Sequence, residues 1–255
     1  MQNLKITIIQ PDIVWENPKA NLEKFSKWIE KLEETDVIIL PEMFTTGFSM
    51  RPEILKETME GDSIKWMKKV AAEKNVSVVG SLIIEDKSKV YNRALWVFPN
   101  GKVEKYDKHH LFTMGQEHLN YSAGNKKTVV EFKGWRFCPL ICYDIRFPVW
   151  NRNTEDYDVI LFMANWPSPR HHHWKTLLVA RAIENQSYCL GINRTGTDGA
   201  GLSYLGDSGM ITPKGIAEFM GETEKIQTFE ISYAELQDYR NSFPLLEDRD
   251  EFNII

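Results

Sequence analysis

Residues 138–148 read CPLICYDIRFP, an apolar strand that reaches Cys142 and then stops at once on polar residues. A thiol at the carboxyl end of a strand can face a pocket, and the neighbouring backbone N–H groups can then meet a developing oxyanion. Covalent acyl transfer needs this arrangement. Cys142 is therefore the candidate nucleophile of the chain.

An acid and an amine stand at the ends of two other predicted strands. Residues 37–42 read VIILPE, a buried strand followed by Glu42, and the apolar run that continues to Phe48 can desolvate this acid. A carboxyl group in such surroundings can exchange protons near neutral pH, so Glu42 is the candidate general base. Lys108 lies within residues 106–112, YDKHHLF, where its ammonium can polarise a carbonyl oxygen and favour a thiolate.

Each of these residues, taken alone, also has a purely structural explanation. Free cysteine is among the most buried residue types, so Cys142 by itself is equally well explained as a core residue. A glutamate that follows proline is more often a solvated loop acid, and most lysines are solvated surface charges. Only the joint occurrence of the three favours a catalytic site.

The composition is typical of one large domain over residues 1–255. A chain of 255 residues with 42% hydrophobic residues can bury a large core. It shows no apolar run of roughly 18 residues and no signal peptide, so we expect a cytoplasmic protein without a membrane partner. Its three cysteines lack zinc-like spacing, which predicts neither a disulfide framework nor a thiolate metal site. A net charge of −5 leaves no basic surplus for nucleic acid.

Short β-type runs alternate with segments of helical period. The pattern predicts helices at 18–32, 63–74, after Pro148 and at 174–185. Strands are predicted at 4–9, 37–40, 77–84, 94–98, 129–132, 137–142, 159–164, 188–193, 209–212 and 225–231. The strands outnumber the helices and many are too apolar for a solvated face, which favours two packed sheets with helices outside. Spacing alone leaves a single doubly wound sheet open.

Three segments of the chain, LPEMF (40–44), YDKHHLF (106–112) and ICYDIRFP (141–148), resemble the Glu, Lys and Cys blocks of the nitrilase superfamily of carbon–nitrogen hydrolases. The resemblance covers nearly the whole chain. It implies a four-layer αββα sandwich of the α/β class, a Glu42–Lys108–Cys142 triad without metal or cofactor, and a homodimer. The supporting second glutamate of the family maps to Glu117.

Residues 163–174, MANWPSPRHHHW, resemble the bacterial omega-amidase branch of that superfamily. The resemblance implies hydrolysis of the terminal amide of 2-oxo acid amides, such as 2-oxoglutaramate and 2-oxosuccinamate, with release of ammonia. A carboxylate at the far end of such a substrate needs a cation, for which Arg170 is the candidate. Trp166 and Phe48 are the candidate pocket walls. We expect Arg146 and Asp144 instead to pair with each other and brace the loop after the nucleophile.

The expected reaction passes through a cysteine thioester. The thiolate of Cys142 attacks the amide carbonyl, while Lys108 and the backbone N–H of Tyr143 hold the oxyanion. Glu42 protonates the departing ammonia and then activates the water that hydrolyses the thioester. Glu117 orients either Lys108 or the substrate amide.

Other functions stay open at the level of sequence. Another amidase or an N-carbamoyl amine hydrolase of the same superfamily uses the same triad, and a catalytically silent interaction protein can keep the same fold. Three histidine clusters suggest a metallohydrolase, although no H-E-x-x-H pattern is present. Residues 196–201, GTDGAG, suggest a nucleotide-binding loop, which would have to join a strand to a helix.

Overall fold

The computed structural model describes residues 2–254, which form two six-stranded sheets, one small hairpin and seven α-helices. The strands are β1 (Leu4–Gln10), β2 (Val37–Ile39), β3 (Ser77–Asp86), β4 (Lys89–Val97), β5 (Val103–Asp107), β6 (Val130–Phe132), β7 (Trp135–Ile141), β8 (Val159–Met163), β9 (Tyr188–Ile192), β10 (Thr195–Thr197), β11 (Ser203–Leu205), β12 (Gly209–Ile211), β13 (Ala217–Phe219) and β14 (Lys225–Ile231). The helices are α1 (Pro18–Glu30), α2 (Pro52–Leu55), α3 (Asp62–Lys74), α4 (Glu117–Asn120), α5 (Pro148–Asn151), α6 (His171–Asn185) and α7 (Tyr233–Ser242).

Both sheets are mixed. The first has the strand order β14-β1-β2-β3-β4-β5, with β1, β2 and β3 parallel. The second has the order β13-β12-β9-β8-β7-β6, with β7, β8 and β9 parallel. Each sheet therefore has a parallel centre with antiparallel edges, and polar residues that follow the parallel strands gather at one edge.

The alternation of side chains along β2 explains the layering. Val37 and Ile39 lie in a core between the two sheets, whereas Ile38 packs outward with Phe25 of α1 and Met67 of α3. Because side chains alternate between the faces of a strand, a strand this apolar must be covered on both sides. The four-layer αββα sandwich is therefore confirmed, and the single doubly wound sheet is excluded.

Helix α6 covers the outer face of the second sheet. Trp174, Leu178 and Ala182 on one side of this helix are fully buried. The helix approaches β9 at Gly191, where an added Cβ would lie 2.5 Å from Leu178 and 2.8 Å from Trp174. Glycine at this position lets the helix and the sheet pack closely.

The structure departs from the sequence-based prediction at several helices, since the short helices α2 and α4 were not predicted. Helix α6 begins at His171, three residues before the predicted start, and α7 was not predicted at all. The apolar signal of α7 is weak because only Leu236 is buried, but Ser232 caps its first turn by accepting a hydrogen bond from the N–H of Glu235. Within residues 2–254, none of the helices is both long enough and apolar enough to cross a membrane.

Candidate active site

Parallel pairing brings the candidate catalytic residues to one edge of the sandwich. The register of β7 and β8 places Ile141 opposite Met163, so the segments that follow them, with Cys142 and Asn165, run side by side. The Cys142 thiol lies 3.9 Å from the backbone oxygen of Asn165. Lys108 follows β5, and its N–H donates to the carbonyl of Asn92 on β4.

These segments surround a cavity of about 200 Å³. Its lining residues include the three candidate triad members and four residues predicted to contact substrate or oxyanion: Glu42, Lys108, Cys142, Tyr143, Phe48, Trp166 and Arg170. Glu117 does not belong to the lining. It lies behind Lys108, where it contacts the ammonium and not the cavity.

Lys108 is fully buried between two carboxylates. Its ammonium donates to Glu42 Oε1 at 2.9 Å and to both oxygens of Glu117 at 3.0 Å. Burial on its own would lower the pKa of Lys108, but the charges of Glu117 and Glu42 outweigh burial and raise it. Lys108 is therefore a cation held in one place, as an oxyanion partner must be.

Glu42 is held by donors on both of its carboxylate oxygens. Oε1 also accepts from the Asn92 side chain at 2.8 Å, and Oε2 accepts from the backbone N–H of Asn165 at 2.9 Å. The Asn165 side chain adds a contact of 2.7 Å from Nδ2 to the backbone oxygen of Glu42. The carboxylate and the backbone oxygen of Glu42 accept these hydrogen bonds, which hold the side chain in one orientation beside Cys142.

Cys142 has a left-handed backbone conformation with φ of +44°. Such a conformation costs about 1–3 kcal/mol for a residue other than glycine, and active sites are where it is commonly found. Met43 and Gln116, which adjoin the two glutamates of the cluster, also have positive φ. Cys142 begins a 3-10 turn that includes Tyr143, so the N–H of Tyr143 has no partner within the turn and can serve an oxyanion.

Lys108 favours the thiolate form of Cys142, as predicted, but other influences on the pKa of this thiol are larger. Burial raises the pKa of the Cys142 thiol, and the charges of Glu42 and Glu117 raise it further, whereas Lys108 lowers it. The net effect places the pKa well above its usual range, because burial and the two carboxylates together outweigh one ammonium. The free protein therefore carries a neutral thiol beside a carboxylate able to take its proton.

Asp144 and Arg146 do not pair with each other, so that prediction is wrong. Asp144 is buried and accepts hydrogen bonds from the Tyr106 hydroxyl at 2.8 Å and from the N–H of Ile141 and of His110. These bonds join the turn at Cys142 to the loop that carries Lys108. Arg146 points into the cavity instead, with its guanidinium 4.6 Å from the ring centre of Trp166.

The Tyr106 hydroxyl links Asp144 to the buried Trp150, and this link leads to a prediction about stability. It donates to Asp144 and accepts from Trp150 Nε1 at 3.1 Å. Tyr106→Phe should lower the free energy of unfolding by about 1–3 kcal/mol, because it leaves buried polar atoms without partners. Urea unfolding measures this loss. Tyr91→Phe, at a half-buried tyrosine, is the control and should change stability by less than about 0.5 kcal/mol; an equal loss in both variants would contradict the prediction.

Two guanidinium groups share one end of the cavity. Arg146 and Arg170 both line it, and Arg170 lies 5.5 Å from the ring centre of Phe112. Burial lowers the pKa of Arg146, and the neighbouring charge of Arg170 lowers it further. In the part of the chain that the structure describes, neither guanidinium forms an ion pair with a carboxylate, so both charges are available to a ligand.

The glycine-rich segment 196–201 does not have the geometry of a nucleotide-binding loop. It joins β10 to β11 in a hairpin, not a strand to a helix. Asp198 organises the turn by accepting from the N–H groups of Ala200 and Leu202 and from the Tyr204 hydroxyl. The hairpin forms one wall of the cavity.

Several histidines contact other side chains of the protein. His109 stacks on Trp150 with ring centres 3.8 Å apart, His110 contacts Asp144, and His171 contacts Asp207. Across residues 2–254, no three His, Cys, Asp or Glu side chains are grouped so as to hold a metal ion. The metallohydrolase alternative therefore has no structural support.

Two residues of the site, Asn92 and Asn165, were not assigned a role from the sequence, and Arg146 was assigned a different one. Asn92 and Asn165 hold Glu42, and Arg146 lines the cavity. Arg146 lies in segment 141–148 and Asn165 in segment 163–174, two of the segments that carried the resemblance. Both residues lie in the loops that follow β7 and β8. Their position at the carboxyl ends of parallel strands was the signal that could have found them. Asn92 lies in mid-strand and gave no such signal.

Comparison with known proteins identifies the family. The carbon-nitrogen hydrolase family model matches residues 5–241. The chain is 47% identical to an omega-amidase, YafV, from Escherichia coli K12, over 100% of both chains. It is 39% identical to the 2-oxoglutaramate amidase of Bacillus subtilis, over 95% of this chain and 96% of that one.

Among solved structures, a CN-hydrolase superfamily protein from Xanthomonas campestris, XC1258, superimposes with a TM-score of 0.97 at 42% identity, over 100% of both chains. That structure holds an arsenic adduct in its active site. Full-length matches of this kind rule out a chance likeness of three short blocks. The chain therefore belongs to the carbon–nitrogen hydrolase family of the nitrilase superfamily and is an enzyme that hydrolyses carbon–nitrogen bonds.

Proposed function

We propose that this enzyme is an omega-amidase, which hydrolyses the terminal amide of 2-oxo acid amides such as 2-oxoglutaramate and 2-oxosuccinamate to the dicarboxylate and ammonia. One observation carries the proposal: Arg146 and Arg170 line the cavity that contains Cys142, and neither forms an ion pair with a carboxylate of residues 2–254. Two guanidiniums in a small cavity suit a substrate with a carboxylate at the end opposite its amide. The names of the relatives from Escherichia coli and Bacillus subtilis agree with this substrate class.

The same charges favour a 2-oxo acid over a 2-amino acid. An ammonium group beside the substrate carboxylate would lie next to Arg146 and Arg170 and be repelled by them. Asp198 also lines the cavity, but both of its carboxylate oxygens accept hydrogen bonds from its own hairpin. A 2-oxo group carries no charge and avoids this penalty.

In the proposed acylation step, the Cys142 sulfur attacks the amide carbon while its proton passes to Glu42. The carbonyl oxygen becomes an oxyanion that the Lys108 ammonium and the N–H of Tyr143 stabilise. Glu42 then gives the proton to the amide nitrogen, the carbon–nitrogen bond breaks, and ammonia leaves. The acyl group stays on sulfur as a thioester.

In the proposed deacylation step, Glu42 removes a proton from water, and the resulting hydroxide attacks the thioester carbon. The oxyanion forms at the same place, so Lys108 and Tyr143 act again. The carbon–sulfur bond breaks, Glu42 returns the proton to sulfur, and the carboxylic acid product leaves. Glu117 acts in both steps as a positioning residue for Lys108, because its contacts are with the ammonium.

A panel of ammonia-release assays tests the proposal. It compares 2-oxoglutaramate, 2-oxosuccinamate, glutamine, an N-carbamoyl amine and a nitrile at equal concentrations. We expect the highest kcat/KM with one of the two 2-oxo acid amides, and a lower value with glutamine because of its ammonium. The highest value with the N-carbamoyl amine or the nitrile would exclude an omega-amidase and favour another activity of the superfamily.

The two arginines allow a sharper prediction. Arg146→Met and Arg170→Met should each raise KM for 2-oxoglutaramate by about 10- to 100-fold, the size expected when a hydrogen-bonded ion pair is lost. KM for butyramide, a neutral amide, should change little. Arg249→Met, at an arginine that pairs with Asp156, is the matched control. An equal rise in KM for both amides would show that the arginines do not bind the substrate carboxylate.

We further propose that the enzyme is a cytoplasmic homodimer whose single domain spans residues 1–255. The support for the dimer is the family resemblance. Light scattering on the purified protein tests the dimer, and a mass of one chain at working concentration would exclude it. Limited proteolysis tests the single domain, because separate domains would release stable fragments.

A further inference from the structure

A buried acceptor in the active site has no partner. Among residues 2–254, the side-chain oxygen of Asn165 accepts no hydrogen bond, although the residue is only 5% exposed and lines the cavity. Buried polar atoms in native proteins are nearly always hydrogen-bonded, and an unmatched one at a functional site indicates a partner that arrives later. The question is which donor that oxygen is placed to meet.

The orientation of this amide is determined by its other end. Asn165 Nδ2 lies 2.7 Å from the backbone oxygen of Glu42 and 3.5 Å from Glu42 Oε2. Both of these atoms act as acceptors, so a flipped amide would place two acceptors in contact. The side-chain nitrogen of Asn165 must therefore face Glu42, and the side-chain oxygen is the atom without a hydrogen-bond partner in the described part of the chain.

The proposed substrate offers a single kind of donor. At neutral pH, 2-oxoglutaramate carries a carboxylate and a ketone, which only accept, and a carboxamide, whose N–H groups donate. The carboxamide must sit between Cys142 and Glu42 for the reaction to proceed, and Asn165 adjoins both of these residues. Glu117 holds the Lys108 ammonium with both of its carboxylate oxygens and is not among the residues that line the cavity.

We propose that Asn165 Oδ1 accepts an N–H of the substrate carboxamide and makes Asn165 a specificity-determining residue for amides. This inference rests on the proposed amidase function and goes beyond it. The contact holds the NH2 group in one rotation. When Cys142 has added to the carbonyl, the lone pair on nitrogen then faces Glu42 and can take its proton, so the carbon–nitrogen bond breaks in preference to the carbon–sulfur bond.

An ester provides the test, since its leaving oxygen has no hydrogen to donate. We compare kcat/KM for the 5-amide and the 5-methyl ester of 2-oxoglutarate in wild type, Asn165→Ala and Asn165→Ser. Both variants should lower the ratio of amide to ester by about tenfold, the loss expected for one hydrogen bond in a dry site. The ratio does not depend on the fraction of protein that is correctly folded.

Asn92→Ala is the matched control. Asn92 holds Glu42 as Asn165 does, but its own oxygen accepts from Ser81 and it does not line the cavity. Asn92→Ala should lower the two kcat/KM values equally and keep their ratio within about twofold. A ratio unchanged in the Asn165 variants would overturn the inference and leave Asn165 as a residue that only positions Glu42.

The failure of the inference can be told apart from failure of the proposed function. If wild type releases no ammonia from the 2-oxo acid amide, the substrate assignment is wrong and the inference falls with it. If wild type is active and the Asn165 variants lose amide and ester hydrolysis in equal proportion, the function stands and only the inference is overturned. If Asn165→Ala shows no measurable rate, the ratio of Asn165→Ser decides.

Discussion

Alanine at position 142 should abolish ammonia release from every amide, with kcat/KM lower by at least about 10⁴-fold. The effect should be this large because, among the described residues, Cys142 is the one thiol that lines the cavity, and without it water would have to attack an amide without covalent help. Steady-state assays with 2-oxoglutaramate measure the loss. Intact-protein mass spectrometry should at the same time show that Cys142→Ala never carries an acyl group.

Cys138→Ala is the matched control for this experiment. Cys138 belongs to the same strand, but it is fully buried in the core, and burial raises the pKa of its thiol to about 12. Its removal should leave kcat/KM within about threefold of wild type, because an inert buried thiol takes no part in the chemistry. A Cys142→Ala protein with wild-type activity would refute the whole mechanism.

Glutamine at position 42 should reduce turnover by about 10²- to 10⁴-fold, while making the Cys142 thiol more reactive toward iodoacetamide. Turnover falls while thiol reactivity rises, because Glu42 acts on Cys142 both as a base and as a negative charge. As a base it accepts the proton of the thiol, and as a negative charge it raises the pKa of Cys142. Glutamine keeps the shape of the side chain but provides neither influence.

The pH dependence of alkylation separates these influences. In wild type, where burial and the carboxylates raise the pKa of Cys142 well above its usual range, the alkylation rate should still be rising at pH 9. In Glu42→Gln the pKa is lower than in wild type, so the same rate is reached at lower pH. Glu85→Gln, which removes a carboxylate paired with Lys56 at the surface, is the control. Unchanged alkylation in Glu42→Gln would mean that its charge does not reach the thiol.

The structure explains why the catalytic cluster starts from a neutral thiol. With their side chains ionised, Glu42, Lys108 and Glu117 would carry a net charge of −1, because two carboxylates surround one ammonium, and burial opposes this charge by raising the pKa of Glu117. A thiolate added to this cluster would be a second uncompensated charge in a buried site. Transfer of the thiol proton to Glu42 during attack keeps the total charge constant, and the oxyanion then forms next to Lys108.

Much of the fold could be predicted from local patterns. The apolar runs at β2, β7 and β8 have no polar face, so strands covered on both sides were the expected structure. Helix α7 was not predicted, because a helix that buries one leucine has almost no hydrophobic periodicity in its sequence. The choice between one sheet and two was equally out of reach of periodicity, since both arrangements bury the same strands.

The sequence by itself determined which chemical groups are present and where each stands relative to a strand end. Glu42, Lys108 and Cys142 could be named because a reactive side chain directly after an apolar strand is unusual, and because the three blocks occur in the order known from one superfamily. Only the tertiary structure decided how these groups meet. Arg146 turned into the cavity and Asp144 toward Tyr106, although the sequence made them natural partners. Asn165 came to lie beside Cys142 through the register of two parallel strands. Contacts between distant segments depend on register and on competition between alternative partners, and neither is a property of any local stretch of chain.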